Sequence, residues 1–174
     1  MAQRIPARDF QSFTAINLPR RDPAIRPLTL APPPLVYAVA LYAAWWLEQR
    51  MSLAFDFEPL GRFAGWGLIG IGLAGFVWAL SAIWGHRTTV NPYKAASNLV
   101  TRGPFAYSRN PIYVFDWFIY LGVTLLLGTA WPLLLAPLVW LVMRYGVIRH
   151  EEAHLLAKFG DEYQTYCSQV KRWL

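Results

Sequence analysis

Stretches of about 20 predominantly apolar residues constrain this chain more than any other feature. A helix rises about 1.5 Å per residue and a bilayer's hydrocarbon core is about 30 Å thick, so such a stretch is matched to a membrane. Four stretches meet or approach that length: residues 34–47, 63–84, 111–127 and 131–147. The first is short and needs the preceding prolines or the residues after Glu48 to complete it. Hydrophobic residues make up 56% of the 174 and aromatic residues 16%, against roughly 45–50% apolar in soluble domains. The expected fold class is therefore all-α: a multi-pass transmembrane helical bundle of about four spans.

The first 34 residues carry Arg4, Arg8, Arg20, Arg21, Arg26 and seven prolines. The apolar run arrives too late, and lacks the small-residue cleavage pattern, for a signal peptide. Residues 1–33 read as a Pro/Arg-rich cytoplasmic segment and residues 34–174 as the membrane domain. The lone Cys167 cannot form an intramolecular disulfide.

Lysine and arginine are unevenly placed. Five precede the first span, four (Arg87, Lys94, Arg102, Arg109) lie between the second and third, and five follow from Arg144 onward, while only Arg50 and Arg62 fall on the other side. The positive-inside rule then puts both termini and loop 85–110 in the cytoplasm, which requires an even number of spans. The net charge of +6 reflects these flanking cations, which membrane topology and attraction to anionic lipid explain better than nucleic-acid binding. They are not interleaved with exposed aromatics as in a nucleic-acid groove, so no nucleic-acid partner is expected.

Gly128 and Pro132 leave only a short connection between the last two spans, which predicts an antiparallel hairpin. Residues 109–113 and 144–152 would then meet at one membrane face. The last helix should run over residues 131–159 and stop at Gly160. Beyond it, residues 161–173 read as a short amphipathic helix with Tyr163, Tyr166, Val170 and Trp173 on one side, able to close over that face or to pack on the loop.

Several residues there could carry chemistry. In Ser108-Arg109-Asn110-Pro111, Asn110 suits an N-cap and Pro111 the first helical position, and free N–H groups at such a start can hold an anion. The bland alternative is a capped helix with an arginine among the headgroups. Seven residues separate Arg144 from Glu151, which on an α-helix leaves them on one face and allows an ion pair; Arg149 or Lys158 are the other cations in reach. Asp116 stands inside an otherwise apolar helix, where an ionisable group suggests function. Residues 61–75 hold six of the twelve glycines, including Gly61 and Gly65, a pattern suited to close helix packing or to a cofactor groove.

His150-Glu151-Glu152-Ala153-His154 matches the H-E-x-x-H of zinc proteases, in which two imidazoles sit one turn apart. A catalytic zinc needs a third protein ligand, for which Asp161 and Glu162 are the candidates after His154 and His86 is far away in the sequence. A membrane zinc metalloprotease and a non-catalytic scaffold are therefore the alternatives, and no metal is expected.

Three segments carry a resemblance: Leu99-Val100-Thr101-Arg102-Gly103-Pro104-Phe105, Ser108-Arg109-Asn110-Pro111-Ile112-Tyr113, and Glu151-Glu152 ahead of Phe159-Gly160-Asp161-Glu162-Tyr163. Their order and spacing resemble the isoprenylcysteine carboxyl methyltransferase and phospholipid methyltransferase group over about residues 63–174. The resemblance implies a membrane helical bundle without a Rossmann sheet and S-adenosyl-L-methionine as cofactor. It also implies a lipophilic or lipid-attached acceptor reached from the bilayer.

By position, Ser97, Asn98, Leu99, Val100, Phe105, Asn110, Pro111, Ile112, Tyr113, Glu151 and Glu152 would contact the cofactor, Glu151 holding its amino group. Arg109 and Asp116 would serve the chemistry. Phe105 stands where the family often has tyrosine, Asn110 where it often has histidine, and Phe115 where glycine is common. Val147 replaces an arginine of the eukaryotic isoprenylcysteine enzymes, so the resemblance implies a lipophilic acceptor without fixing it as a prenylcysteine.

Overall fold

A computed structural model describes residues 32–55, 58–85 and 98–174. Its helices are α1 (Pro33–Glu48), α2 (Leu60–Gly85), α3 (Pro111–Leu127), α4 (Trp131–Leu141) and α5 (Arg149–Gln169). A 3-10 turn, Gly103–Ala106, precedes α3, and a π-helical segment, Val142–Ile148, joins α4 to α5. Among the described residues there is no β-strand, only an isolated bridge between Ala54 and Thr129. The all-helical expectation holds, and the four apolar stretches all lie in helices.

Among the described residues two helices are long and apolar enough to cross a membrane: α2, and the continuous run Trp131–Gln169. Helix α2 is apolar all round and leaves Phe63, Trp66 and Val77 more than 60% exposed, a surface that suits lipid and not water. α3 is apolar but shorter.

Proline and glycine set the helix ends. Pro111 occupies the first turn of α3, where its missing N–H costs nothing. Gly128 closes α3 in the left-handed region at φ 61°, its N–H bonded to the Leu125 carbonyl. Gly160 lies at φ 51°, ψ −122°, so the helix breaks where the sequence predicts and then resumes to Gln169.

Helices α2 and α3 approach through glycine. A Cβ on Gly72 would sit 2.6 Å from Ile119 Cγ1, and one on Gly122 would sit 2.6 Å from the Gly65 carbonyl oxygen. The Phe115 ring fills the hollow above Gly75. The glycine stripe of α2 is therefore a packing surface, the bland reading of that pattern. On the other flank Tyr37 of α1 packs edge-on to Trp117 and against Tyr120, in a core completed by Tyr113, Val139, Met143, Val147 and Ile148.

At the end opposite the Ser108–Pro111 turn, Glu48 joins two loops. Its carboxylate accepts from Thr129 Oγ1 (2.6 Å) and the Leu53 N–H (2.9 Å). Phe55 N–H donates to the Gly128 carbonyl, and Ala130 N–H to that of Leu53. These bonds satisfy loop backbone that α-helices cannot.

Candidate functional site

Two features of the chain's own geometry bring distant residues together. The first is the π segment. Its wider i→i+5 turns mean that seven residues no longer return to the same face, so Glu151 is rotated away from Arg144. The expected Arg144–Glu151 pair does not form. Arg144 lies 5.5 Å over the Trp140 ring, and Glu151 instead accepts a 2.7 Å hydrogen bond from the Tyr113 hydroxyl on α3.

The second feature is the C-terminal segment, which crosses the start of α3. Arg109 N–H donates to the Lys171 carbonyl (2.9 Å), and Ser108 Oγ and Asn110 Nδ2 both donate to that of Arg172 (3.2 and 3.0 Å). Asn110 holds the N-cap position, but its side chain does not cap the helix as expected, because its amide is committed to this tail. Tyr166 reaches the Phe105 carbonyl at 2.6 Å, so the helix beyond Gly160 lies over the 3-10 turn. It closes over this face, as one reading of its amphipathic pattern holds.

Between these elements lies a cavity of about 130 Å³ lined by Phe105, Arg109, Asn110, Pro111, Ile112, Tyr113, Glu151, Glu152, Leu155 and Tyr163. The wall combines apolar and aromatic surface with two carboxylates and one guanidinium. The two acids have different partners. Glu152 accepts two 2.7 Å hydrogen bonds from Arg172 Nε and Nη2, and Arg109 Nη1 approaches it at 3.7 Å. Among the described residues Glu151 has only a neutral hydroxyl, that of Tyr113. Burial pushes the Glu151 carboxyl up to about 7; the Tyr113 hydrogen bond opposes the rise and the neighbouring Glu152 charge adds to it. Arg109 donates through Nη1 to Cys167 Sγ at 2.9 Å, but its Nε is buried without a hydrogen-bond partner.

Of the residues singled out in the sequence, Phe105, Arg109, Asn110, Pro111, Ile112, Tyr113, Glu151 and Glu152 meet at this cavity. Asn98, Leu99 and Val100 do not line it; Val100 is buried ahead of the 3-10 turn and Asn98 is exposed. Ser97 lies outside the described residues. Asp116 stands half-buried one turn deeper in α3. Sequence reasoning missed Leu155 in the wall and Arg172 behind it. Leu155 follows Glu151 by four residues, a spacing that could have placed it on the same face. For Arg172 the tail offered no signal beyond its charge.

His150 and His154 each keep one buried ring nitrogen without a partner, and Glu151 turns to Tyr113. Among the described residues no group of three or more histidine, cysteine or acidic side chains is placed to hold a metal ion.

The family model for phospholipid methyltransferase matches residues 60–162, more than half of the chain, and spans both walls of the cavity. The chain belongs to the phospholipid methyltransferase family. Similar proteins include the protein-S-isoprenylcysteine O-methyltransferase of Schizosaccharomyces pombe, 42% identical over 72 residues. That match spans 41% of this chain and 30% of the relative's length. An uncharacterized protein of Haemophilus influenzae is 43% identical over 63 residues, 32% of this chain and 98% of that protein. No solved structure matches the chain. The matched region contains every residue that lines the cavity except Tyr163.

Proposed function

We propose that this protein is an S-adenosyl-L-methionine-dependent integral membrane methyltransferase acting on a lipophilic acceptor, such as an isoprenylcysteine-like carboxylate, a phospholipid amine or a small lipophilic molecule. One observation carries the reading. Among the described residues, the cavity is lined by a carboxylate without a cationic partner, Glu151, and by Arg109, whose buried Nε has no acceptor, beside apolar and aromatic side chains. A cofactor with an ammonium, a carboxylate and an apolar remainder satisfies all three, since buried donors and charges left unpaired are costly. The residues present therefore fit it.

S-adenosylmethionine, when bound, supplies a methyl group on a sulfonium sulfur. Glu151 would hold the ammonium through a charge-assisted hydrogen bond, oriented by the Tyr113 hydroxyl. Arg109 Nε would donate to the carboxylate. Phe105, Ile112 and Leu155 would exclude water, and the protein would act largely by holding the acceptor in line. A carboxylate or thiolate acceptor needs no base. A neutral amine or phenol would lose its proton to Asp116, which one turn deeper in α3 would stand on the bilayer side of the cavity. Four spans, with both termini and loop 85–110 cytoplasmic and the last two spans an antiparallel hairpin, would open the cavity to cytosol for cofactor and to lipid for acceptor.

Calorimetric titration of the detergent-solubilised protein with S-adenosylhomocysteine tests the reading. Saturable one-site binding is expected, and no binding to folded protein overturns it. Asp116→Asn should keep that binding while slowing methylation of an amine acceptor.

A further inference from the structure

The two adjacent acids on α5 face different environments, and the difference originates in the tail. We infer that Arg172 is a positioning residue that sorts them: by engaging both oxygens of Glu152, it leaves Glu151 as the carboxylate of the cavity wall that is open to a ligand cation. The consequence for cofactor binding rests on the function proposed above; the electrostatic relationship does not.

The groups facing this pair come from every surrounding element. Tyr113 approaches Glu151 from α3. Arg109, ahead of α3, is 3.7 Å from Glu152 but shares the same Nη1 with Cys167. Tyr163 and Cys167 lie beyond Gly160, and His150 and His154 flank the acids on α5 itself. Among the described residues only Arg172 makes the parallel two-bond contact, at 2.7 Å and 2.7 Å, the strongest geometry between a guanidinium and a carboxylate. Its guanidinium therefore neutralises Glu152. Without it the Glu152 charge would act on Glu151 opposed only by the longer Arg109 contact among the described residues, and a like charge nearby keeps an acid protonated to higher pH.

The tail is held by bonds that do not use this side chain. Its carbonyls at Lys171 and Arg172 accept from Arg109 N–H, Ser108 Oγ and Asn110 Nδ2, and Trp173 packs against the core cluster. Removing the guanidinium should thus leave the segment in place, which separates charge sorting from simple strapping.

The test is the ionisation of Glu151 in cofactor-free, full-length protein, followed by the 13C signal of its carboxyl and assigned with Glu151→Gln. The parent midpoint should lie near 7. Arg172→Gln should raise it by roughly half to one pH unit, Arg172→Lys should lie between, and Glu152→Gln combined with Arg172→Gln should bring it back to the parent value or below. An unmoved midpoint in Arg172→Gln, or a double variant that stays with the single one, overturns the inference. As a second readout, S-adenosylhomocysteine affinity of Arg172→Gln should fall about three- to tenfold at about pH 6 and converge with the parent at about pH 8.5. Equal weakening at both pH values would mean a merely structural tail and would also overturn it. If the parent binds no S-adenosylhomocysteine, the proposed function fails, while the carboxyl titration still decides this inference.

Discussion

The Tyr113 hydroxyl and the Glu151 carboxylate, 38 residues apart in sequence, meet at 2.7 Å across the gap between α3 and α5. The contact lets a buried acid keep one donor while remaining without a cation, the condition in which a ligand ammonium gains most. Removing one partner of such a charged bond costs roughly 1.5–3 kcal/mol, about 10- to 150-fold in affinity. Glu151→Gln should weaken S-adenosylhomocysteine binding by about that factor in calorimetry. The exposed Glu162, beyond the Gly160 break, should tolerate Glu162→Gln with little change. Equal affinities for parent and Glu151→Gln would remove Glu151 from the site.

Binding should also follow the ionisation of Glu151. Burial holds its carboxyl up to about 7, so affinity should fall as the pH drops through that value and the acid takes up a proton. Tyr113→Phe removes the one contact that favours the ionised form, so the midpoint should move upward and affinity near neutral pH should drop about fivefold, the equivalent of about 1 kcal/mol. A downward shift would contradict the hydrogen bond's direction.

The same carboxyl should influence stability with the opposite preference. Its folded-state value is raised, so its contribution is fully present below the ordinary glutamate range and lost as the pH rises through about 7. Thermal melts of the cofactor-free protein should therefore show Glu151→Gln gaining on the parent above neutral pH, the gap narrowing near pH 5. A gap independent of pH would show that burial does not act on this acid.

Close helix approach makes a mechanical prediction. A side chain on Gly72 meets Ile119 and the Phe115 backbone, and one on Gly75 meets the Phe115 ring. Gly72→Val should destabilise by about 1–3 kcal/mol, as overpacking does. Gly75→Ala should be harmful alone but partly relieved by Phe115→Leu, and strict additivity in that double-mutant cycle would separate the two residues.

Topology can be read with thiol reagents. A cysteine placed at Lys94 should label from the same side as a C-terminal tag, as the lysine and arginine asymmetry requires. Labelling from opposite faces would refute the four-span arrangement.

Much of the helical layout was legible because it depends on local chemistry. Pro111 starts α3, Gly128 ends it and Gly160 breaks the last helix, since each answers to a missing donor or a missing Cβ. The partners within the site were not legible to the same degree. Arg144 and Glu151 were on one face only if the helix stayed α-helical, and the π segment altered that count. Asn110 was a good cap by composition, but the tail offered its amide a carbonyl instead. Phe115 stood out as a departure at the site, yet its ring serves the α2 contact at Gly75.

By itself, the sequence determined apolar helices flanked by clustered lysines and arginines, and the proline and glycine positions that begin and end α3. These follow from hydrophobic length, charge placement and backbone sterics, all of which act within a few residues. Tertiary structure alone decided that Glu152 pairs with Arg172 while Glu151 faces Tyr113. Neighbouring residues on a helix point about 100° apart, so which acid meets Tyr113 and which meets Arg172 depends on the rotation of the whole helix, and that rotation is set by packing among α1, α3 and the π segment.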